Sequence, residues 1–149
     1  MPQAVWEDLN LVEEVKKALD IFHEPYINYE PEKESIMIKL DKIHLTRIIT
    51  NLITNAIHAL KNTDKPSIEV RLKEFEDHVL IEVEDNGDGI RSEDAAMVFE
   101  PKFTTKSSGM GLGLPMVRNI LEAYNGKISF VSEPGKTVFS VVLPKEKGI

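Results

Sequence analysis

Two glycine-rich stretches frame the middle of the chain, Asp85-Asn86-Gly87-Asp88-Gly89-Ile90 and Gly109-Met110-Gly111-Leu112-Gly113-Leu114. Between them run Phe99, Phe103, Thr104, Thr105 and Lys106. Glycines at a helix entrance leave backbone N–H groups free to point at an anion, where the helix dipole also favours negative charge. The two stretches therefore read as two walls of a nucleotide pocket, with a lid between them. Upstream, Asn51 and Asn55 are spaced to share one face of a helix. An unsatisfied buried amide costs on the order of 1–3 kcal/mol. Either this pair bonds neighbouring backbone or it faces a polar cleft, and the spacing favours the cleft.

The elements that must hold these residues follow from hydrophobic period and turn chemistry. Apolar residues at 9, 11, 12, 15, 18, 19 and 22 predict a helix from Leu9 to Phe22, capped by Asp8 or Asn10, with Pro25 beyond its end. Ile27–Glu30 and Ser35–Leu40 predict two strands joined by the charged turn Pro31-Glu32-Lys33-Glu34. Asp41 can cap the helix that carries both asparagines and runs to about Lys61. Its apolar positions cover more than one stripe, so it should be largely buried.

Ser67–Phe75 and His78–Asp85 alternate cleanly around Glu76-Asp77, a hairpin with one apolar and one charged face. The sheet should have one wet face and one covered by helices. The first glycine stretch thus leaves a strand. Ser92-Glu93-Asp94 opens a short helix through Val98, and residues 99–113 show no period, which in a compact domain is more often a functional lid than filler. Leu112–Tyr124 predicts a helix ended by Asn125-Gly126. Lys127–Ser132 and Thr137–Leu143 then pair across Glu133-Pro134-Gly135-Lys136, and residues after Pro144 read as a tail.

The bulk numbers narrow the function classes. A chain of 149 residues is most simply one domain. With 18 basic and 25 acidic residues the formal charge is −7, which argues against nucleic acid as a partner. There is no cysteine, hence no disulfide, thiolate metal site or thiol nucleophile. No apolar run approaches the roughly 20 residues that span a bilayer, and the N-terminus lacks a signal-peptide core, so a cytoplasmic location is expected.

Taken singly, the motifs are modest. A Rossmann fingerprint fails because the glycines do not sit in the first turn of a parallel βαβ unit, and a Walker loop fails because no Gly-Lys-Ser/Thr follows them. The order is more specific: a helix with Asn-x-x-x-Asn, then Asp-x-Gly-x-Gly, a Phe-rich segment, and Gly-x-Gly-x-Gly at a helix.

That order resembles the ATP-binding domain of sensor histidine kinases, in the superfamily shared with type II topoisomerases, the ninety-kilodalton chaperone and mismatch-repair ATPases. Asn51–Ala56 is similar to the family's N box, and Asp85–Ile90 to its first glycine box. Phe99–Lys106 resembles the F box and Gly109–Leu114 the second glycine box. The N box and the lid are most similar to those of nitrogen-regulatory sensor kinases. The resemblance implies a Bergerat-type fold of the α/β (α+β) class. This is a two-layer sandwich whose mixed, mostly antiparallel sheet has one face covered by about three helices, with a flexible ATP lid at about 99–111. It makes residues 9–144 the ATP-binding catalytic domain and residues 1–8 the remnant of a linker from a dimerisation domain.

The resemblance also assigns roles. Asp85 would accept a hydrogen bond from the adenine amino group, and Gly87, Gly89 and Ile90 would bring backbone close to the ring. Asn55 would bind Mg²⁺ through its amide oxygen, a hard ligand for a hard cation. Asn51 borders the same site, and His58 lies where the family often has a basic residue near the phosphates, although it could be an ordinary surface histidine. Phe99, Thr105 and Lys106 belong to the lid, with Lys106 adding charge. Gly109, Met110, Gly111, Leu112 and Gly113 would present amides to the phosphates, and Thr137 sits where a Thr often lies near the base. Lys102 departs from the usual apolar lid residue, and the turn before Thr137 is one glycine short of the common form.

In ATP-hydrolysing relatives the residue four before the metal-binding Asn is typically a Glu that activates water. Here it is Asn51, which cannot act as a general base. Hydrolysis should be slow, suiting a domain that keeps its γ-phosphoryl group for a histidine acceptor. None of His23, His44, His58 or His78 lies in the family's acceptor motif. The resemblance therefore implies a catalytic fragment, monomeric and inactive alone. Its expected partners are the dimerisation and phospho-acceptor domain of a homodimeric parent, membrane-anchored or not, and a response regulator receiver domain. The competing readings are a nucleotide-gated clamp or ATPase, and a non-catalytic module whose lid recruits a partner.

Overall fold

The computed structural model describes residues 6–100 and 113–145. Strand β1 (Glu7–Asn10) leads directly into helix α1 (Leu11–Leu19), followed by β2 (Ile27–Pro31), β3 (Met37–Leu40) and α2 (Lys42–Ala59). The hairpin β4 (Ile68–Glu74) and β5 (His78–Asp85) precedes one 3₁₀ turn (Ala95–Met97), then α3 (Gly113–Glu122), β6 (Lys127–Glu133) and β7 (Lys136–Pro144). The strands form a five-stranded sheet in the order β2-β4-β5-β7-β6 and a separate β1-β3 pair.

Side-chain chemistry sets the helix starts. Asn10, not Asp8, caps α1: its Oδ1 accepts from Val12 N and from Ile36 N, both at 3.1 Å, so one amide also ties β1 to the approach to β3. Asp41 caps α2, accepting from Ile43 N at 2.8 Å. Leu45, Ile48, Ile49, Leu52, Ile53 and Ala56 line its buried face at i, i+3, i+4 and i+7 spacing. Asn125, in the left-handed conformation with φ 58°, ends the turn after α3. Pro134 and Gly135 (φ 87°) close the β6–β7 hairpin with the signature of a type II turn.

The register resolves the core-facing side of the large sheet into rows. Phe130, Phe139, Val83, Val70 and Tyr29 form one row across five strands, and Ile128, Val141, Ile81, Leu72 and Pro31 the next. The three helices cover this apolar face, joining it in one hydrophobic core. The opposite face is wet: Arg71 bonds Glu82 at 3.2 Å and Glu84 at 2.9 Å across the hairpin. The two-layer mixed, mostly antiparallel sheet with three helices on one face is the architecture expected from the sequence.

The early strands find partners that the turn between them does not announce, and two expected helices need correction. The strands expected on either side of Pro31-Glu32-Lys33-Glu34 do not pair with each other. β2 runs parallel to β4, whereas β3 pairs antiparallel with β1. Glu7 and Asp8 lie in β1, paired with Leu40 and Lys39. The first helix is shorter than expected, because Asn10 rather than Asp8 supplies the cap and residues beyond Leu19 turn out of it. The helix expected from Ser92 to Val98 is only the 3₁₀ turn, whose N-cap residue Asp94 makes no side-chain cap bond. Its carboxylate is instead paired with Arg91 at 3.1 Å.

Candidate nucleotide site

At one end of the buried sheet face the apolar rows give way to a polar one. Ile27 and Ile68 continue into Asp85, Thr137 and Ser132, direct neighbours on β5, β7 and β6. Asp85 is 2% exposed and Thr137 3% exposed, on strands whose other core-facing residues are all apolar. Asp85 Oδ1 accepts from Gly87 N at 2.9 Å. Burial nevertheless pushes the Asp85 carboxyl up to about 6, with Glu84 adding to the shift and the Gly87 amide opposing it. The carboxyl is thus mainly ionised at neutral pH, but costly to keep so.

The first glycine turn is locked by the chain's own backbone. A Cβ at Gly87 would strike the carbonyl oxygen of Ala59, and one at Gly89 (φ 92°) would lie 2.9 Å from the Glu133 carbonyl. Gly87 O accepts from Gly135 N at 2.9 Å, and Asn86 bridges Ser67 N and Lys65 O, each at 2.8 Å. Ile90 N donates to Ser132 Oγ at 2.8 Å, and Ser132 Oγ lies 2.7 Å from Thr137 Oγ1. The expected reason for the glycines was close approach to a ring. The structure shows that they are first required by the end of α2 and by the strand β6.

Across the core, α2 carries Asn51, Asn55 and His58. Both amides are half-buried, and His58 is exposed in the last turn. Asn51 Nδ2 lies 3.8 Å from Met116 Sδ on α3, a weak contact, while the Asn55 side chain bonds no other described residue. Among the described residues no buried side-chain nitrogen or oxygen is left unpartnered. The half-buried amides are thus not fixed by side-chain bonds to the described core, and Asn51 faces α3 through Met116. Gly113 begins α3, and Pro115 sits in its first turn, where no backbone donor is needed.

Phe99 packs against Phe130 and Phe139 at ring distances of 6.0 and 6.4 Å, and Arg118 of α3 lies 5.9 Å over its face. Thr105, Lys106, Gly109, Met110, Gly111 and Leu112 lie outside the described residues. Among the other assigned positions, the fold groups Asp85, Gly87, Gly89, Ile90 and Thr137 at one end of the sheet. Ser132 was missed. The signal was available, since Ile128 and Phe130 face inward on β6 and the same alternation brings Ser132 inward.

The family model described as histidine kinase-, DNA gyrase B- and HSP90-like ATPase matches residues 40–147. The chain belongs to this family and carries the ATPase domain of sensor histidine kinases. The sensor histidine kinase ZraS of Salmonella typhimurium is 36% identical over 141 residues, covering 94% of this chain but only 29% of that protein. The chain thus spans less than a third of that relative's length. The catalytic domain of histidine kinase ThkA superposes with a TM-score of 0.83 at 26% identity, covering 95% of this chain and 98% of that one. ThkA in complex with response regulator protein TrrA gives a TM-score of 0.81 at 25% identity, covering 96% of this chain and 42% of that one.

Proposed function

We propose that the chain binds Mg-ATP and donates the γ-phosphoryl group to a histidine on a dimerisation domain outside this chain. The observation that carries this reading is the polar row. A carboxylate and two hydroxyls, two of them almost fully buried, close an otherwise apolar sheet face beside a glycine turn. An ionised carboxylate there accepts from the exocyclic amino group of adenine, and the flanking apolar side chains suit the ring.

The α2 amides suit the other end of a nucleotide. No group of three or more His, Asp or Glu among the described residues could hold a metal. A cation at Asn55 would therefore take one amide oxygen from the protein and its other ligands from phosphate and water, which suits Mg²⁺. The cation would neutralise phosphate charge. Asn51 offers no basic pair for activating water, so the bound triphosphate is preserved for transfer. Transfer forms a bond from an imidazole nitrogen to the γ-phosphorus as the β–γ bridging P–O bond breaks and ADP leaves. The protein's part is positioning. Lys106, His58 and the second glycine stretch are assigned to the phosphates, and Thr105 to the lid. A receiver domain of a response regulator is the proposed next acceptor, and the cytoplasm the proposed site of action.

The test mixes the chain with a separately purified dimerisation domain bearing the acceptor histidine and ATP labelled at the γ-phosphate. Acid-labile label on that domain is the expected result. Release of labelled phosphate with an unlabelled domain would assign an ATPase instead, and no label despite intact ADP binding would sink the kinase reading.

A further inference from the structure

We propose that Ser132 is a specificity-determining positioning residue: it fixes the direction of a two-hydroxyl relay, so that Thr137 acts as a hydrogen-bond donor to the base. The inference rests on the adenine-nucleotide reading above and deepens it.

The geometry is a short chain. Ile90 N–H donates to Ser132 Oγ at 2.8 Å, and Ser132 Oγ stands 2.7 Å from Thr137 Oγ1. Either hydroxyl could donate within that pair. Two features set the direction. The Ile90 amide fills one acceptor site on Ser132, which leaves the Ser132 proton free to bond Thr137. Thr137 is also the direct cross-strand partner of Asp85, and side chains so paired lie within about 5 Å on the same face. A buried carboxylate at that distance attracts the Thr137 proton away from Ser132.

The relay then runs Ile90 N–H to Ser132 and Ser132 O–H to Thr137, and the single Thr137 proton, turned from Ser132 but not hydrogen-bonded to Asp85, is left for the base. The site consequently shows one acceptor, Asp85, beside one donor, Thr137. Adenine has the matching edge, an amino donor flanked by acceptor ring nitrogens. Guanine presents a carbonyl acceptor in place of the amino group and a protonated N1 beside it, which opposes both groups. Without the Ser132 hydroxyl, Thr137 loses the partner that orients it, and Ile90 loses the bond that holds the end of the glycine turn against β6.

The experiment is calorimetric titration of the chain with ADP, 1-deaza-ADP and 7-deaza-ADP. Each analogue lacks one ring nitrogen beside the amino group. Ser132→Ala should weaken ADP binding about tenfold, the scale of one lost hydrogen bond, and Ser132→Thr should restore it to within about twofold. Thr137→Val should cost about as much, and the Ser132→Ala/Thr137→Val double variant no more than Thr137→Val alone. Against one of the deaza analogues the Ser132→Ala penalty should shrink to within about twofold, because the acceptor served by Thr137 is already gone.

A penalty of equal size on all three ligands, or additive losses in the double variant, would overturn the proposal and leave Ser132 a packing residue. Thr137→Val, tested alone on the analogues, reads the same donor should Ser132→Ala fail to fold. Equal losses on ADP and both analogues there also overturn it. Failure of the wild-type chain to bind ADP would instead refute the adenine reading. Wild-type binding that survives Ser132→Ala unchanged refutes only the relay.

Discussion

The Asp85 end of the proposed nucleotide site and the amide face of α2 are built on opposite plans. Around Asp85, every turn is fastened by the chain itself: Gly87 and Gly89 are wedged against carbonyls of Ala59 and Glu133, and Asn86, Ile90 and Gly135 each make a defined hydrogen bond. On α2, the Asn55 side chain bonds no other described residue and the Asn51 amide makes only one weak contact. The difference teaches where recognition is stored. The base end is shaped before any ligand arrives, so little ordering remains to oppose binding there. On the proposed reading, the amide face offers acceptors to the phosphate end of the ligand.

Asp85→Asn should separate the two plans most widely. Adenine nucleotide affinity should fall by at least about a hundredfold, since a charged acceptor is replaced by a neutral amide that can also present a donor. The fold should become more stable at pH 7. A carboxyl at about 6 in the folded chain, against 3.8 ordinarily, makes folding less favourable as pH rises through that window. The full shift corresponds to about 3 kcal/mol at neutral pH, which the Asn variant avoids. Denaturation with and without ADP reads both effects, and unchanged affinity would remove Asp85 from the site.

Gly87→Ala should destabilise the ligand-free chain by about 2–4 kcal/mol, because the methyl group meets a backbone carbonyl that cannot swing aside. A variant as stable as wild type that merely binds nucleotide poorly would return the glycine to a purely ligand-facing role. pH gives a finer test of the base end. The accepting carboxylate persists above about 6, so ADP affinity should be flat from pH 7 to 8 and fall roughly tenfold by pH 5. Flat affinity down to pH 5 would mean that Asp85 is not the acceptor.

The smallest expected effect is on the other wall. Asn55→Ala should alter ligand-free stability by less than about 0.5 kcal/mol, as it removes no bond to a described residue, while abolishing the Mg²⁺ dependence of ATP binding. A large loss of stability would show that the amide serves the core after all.

Much of this was legible in the chain. Asp41 as a cap, the β4–β5 hairpin, the Pro134-Gly135 turn and the helix stop at Asn125 all follow from interactions spanning a few residues. The Asn-x-x-x-Asn spacing likewise follows from helical period alone. Strand partners did not follow. Alternation marks β2 and β3 as strands but carries no label for a neighbour, and the parallel β2–β4 pairing spans α2. Ser132 was overlooked because one serine in an edge strand is ordinary until register sets it between Ile90 and Thr137.

The sequence by itself determined most of the elements, the apolar face of the sheet and the residue types able to meet a nucleotide, because these depend on local period, caps and turn conformations. Only the tertiary structure decided that Asp85, Thr137 and Ser132 form one row, and that Gly87 is glycine because α2 ends against it. Those facts depend on register and close approach between segments far apart in the chain, which no local pattern encodes.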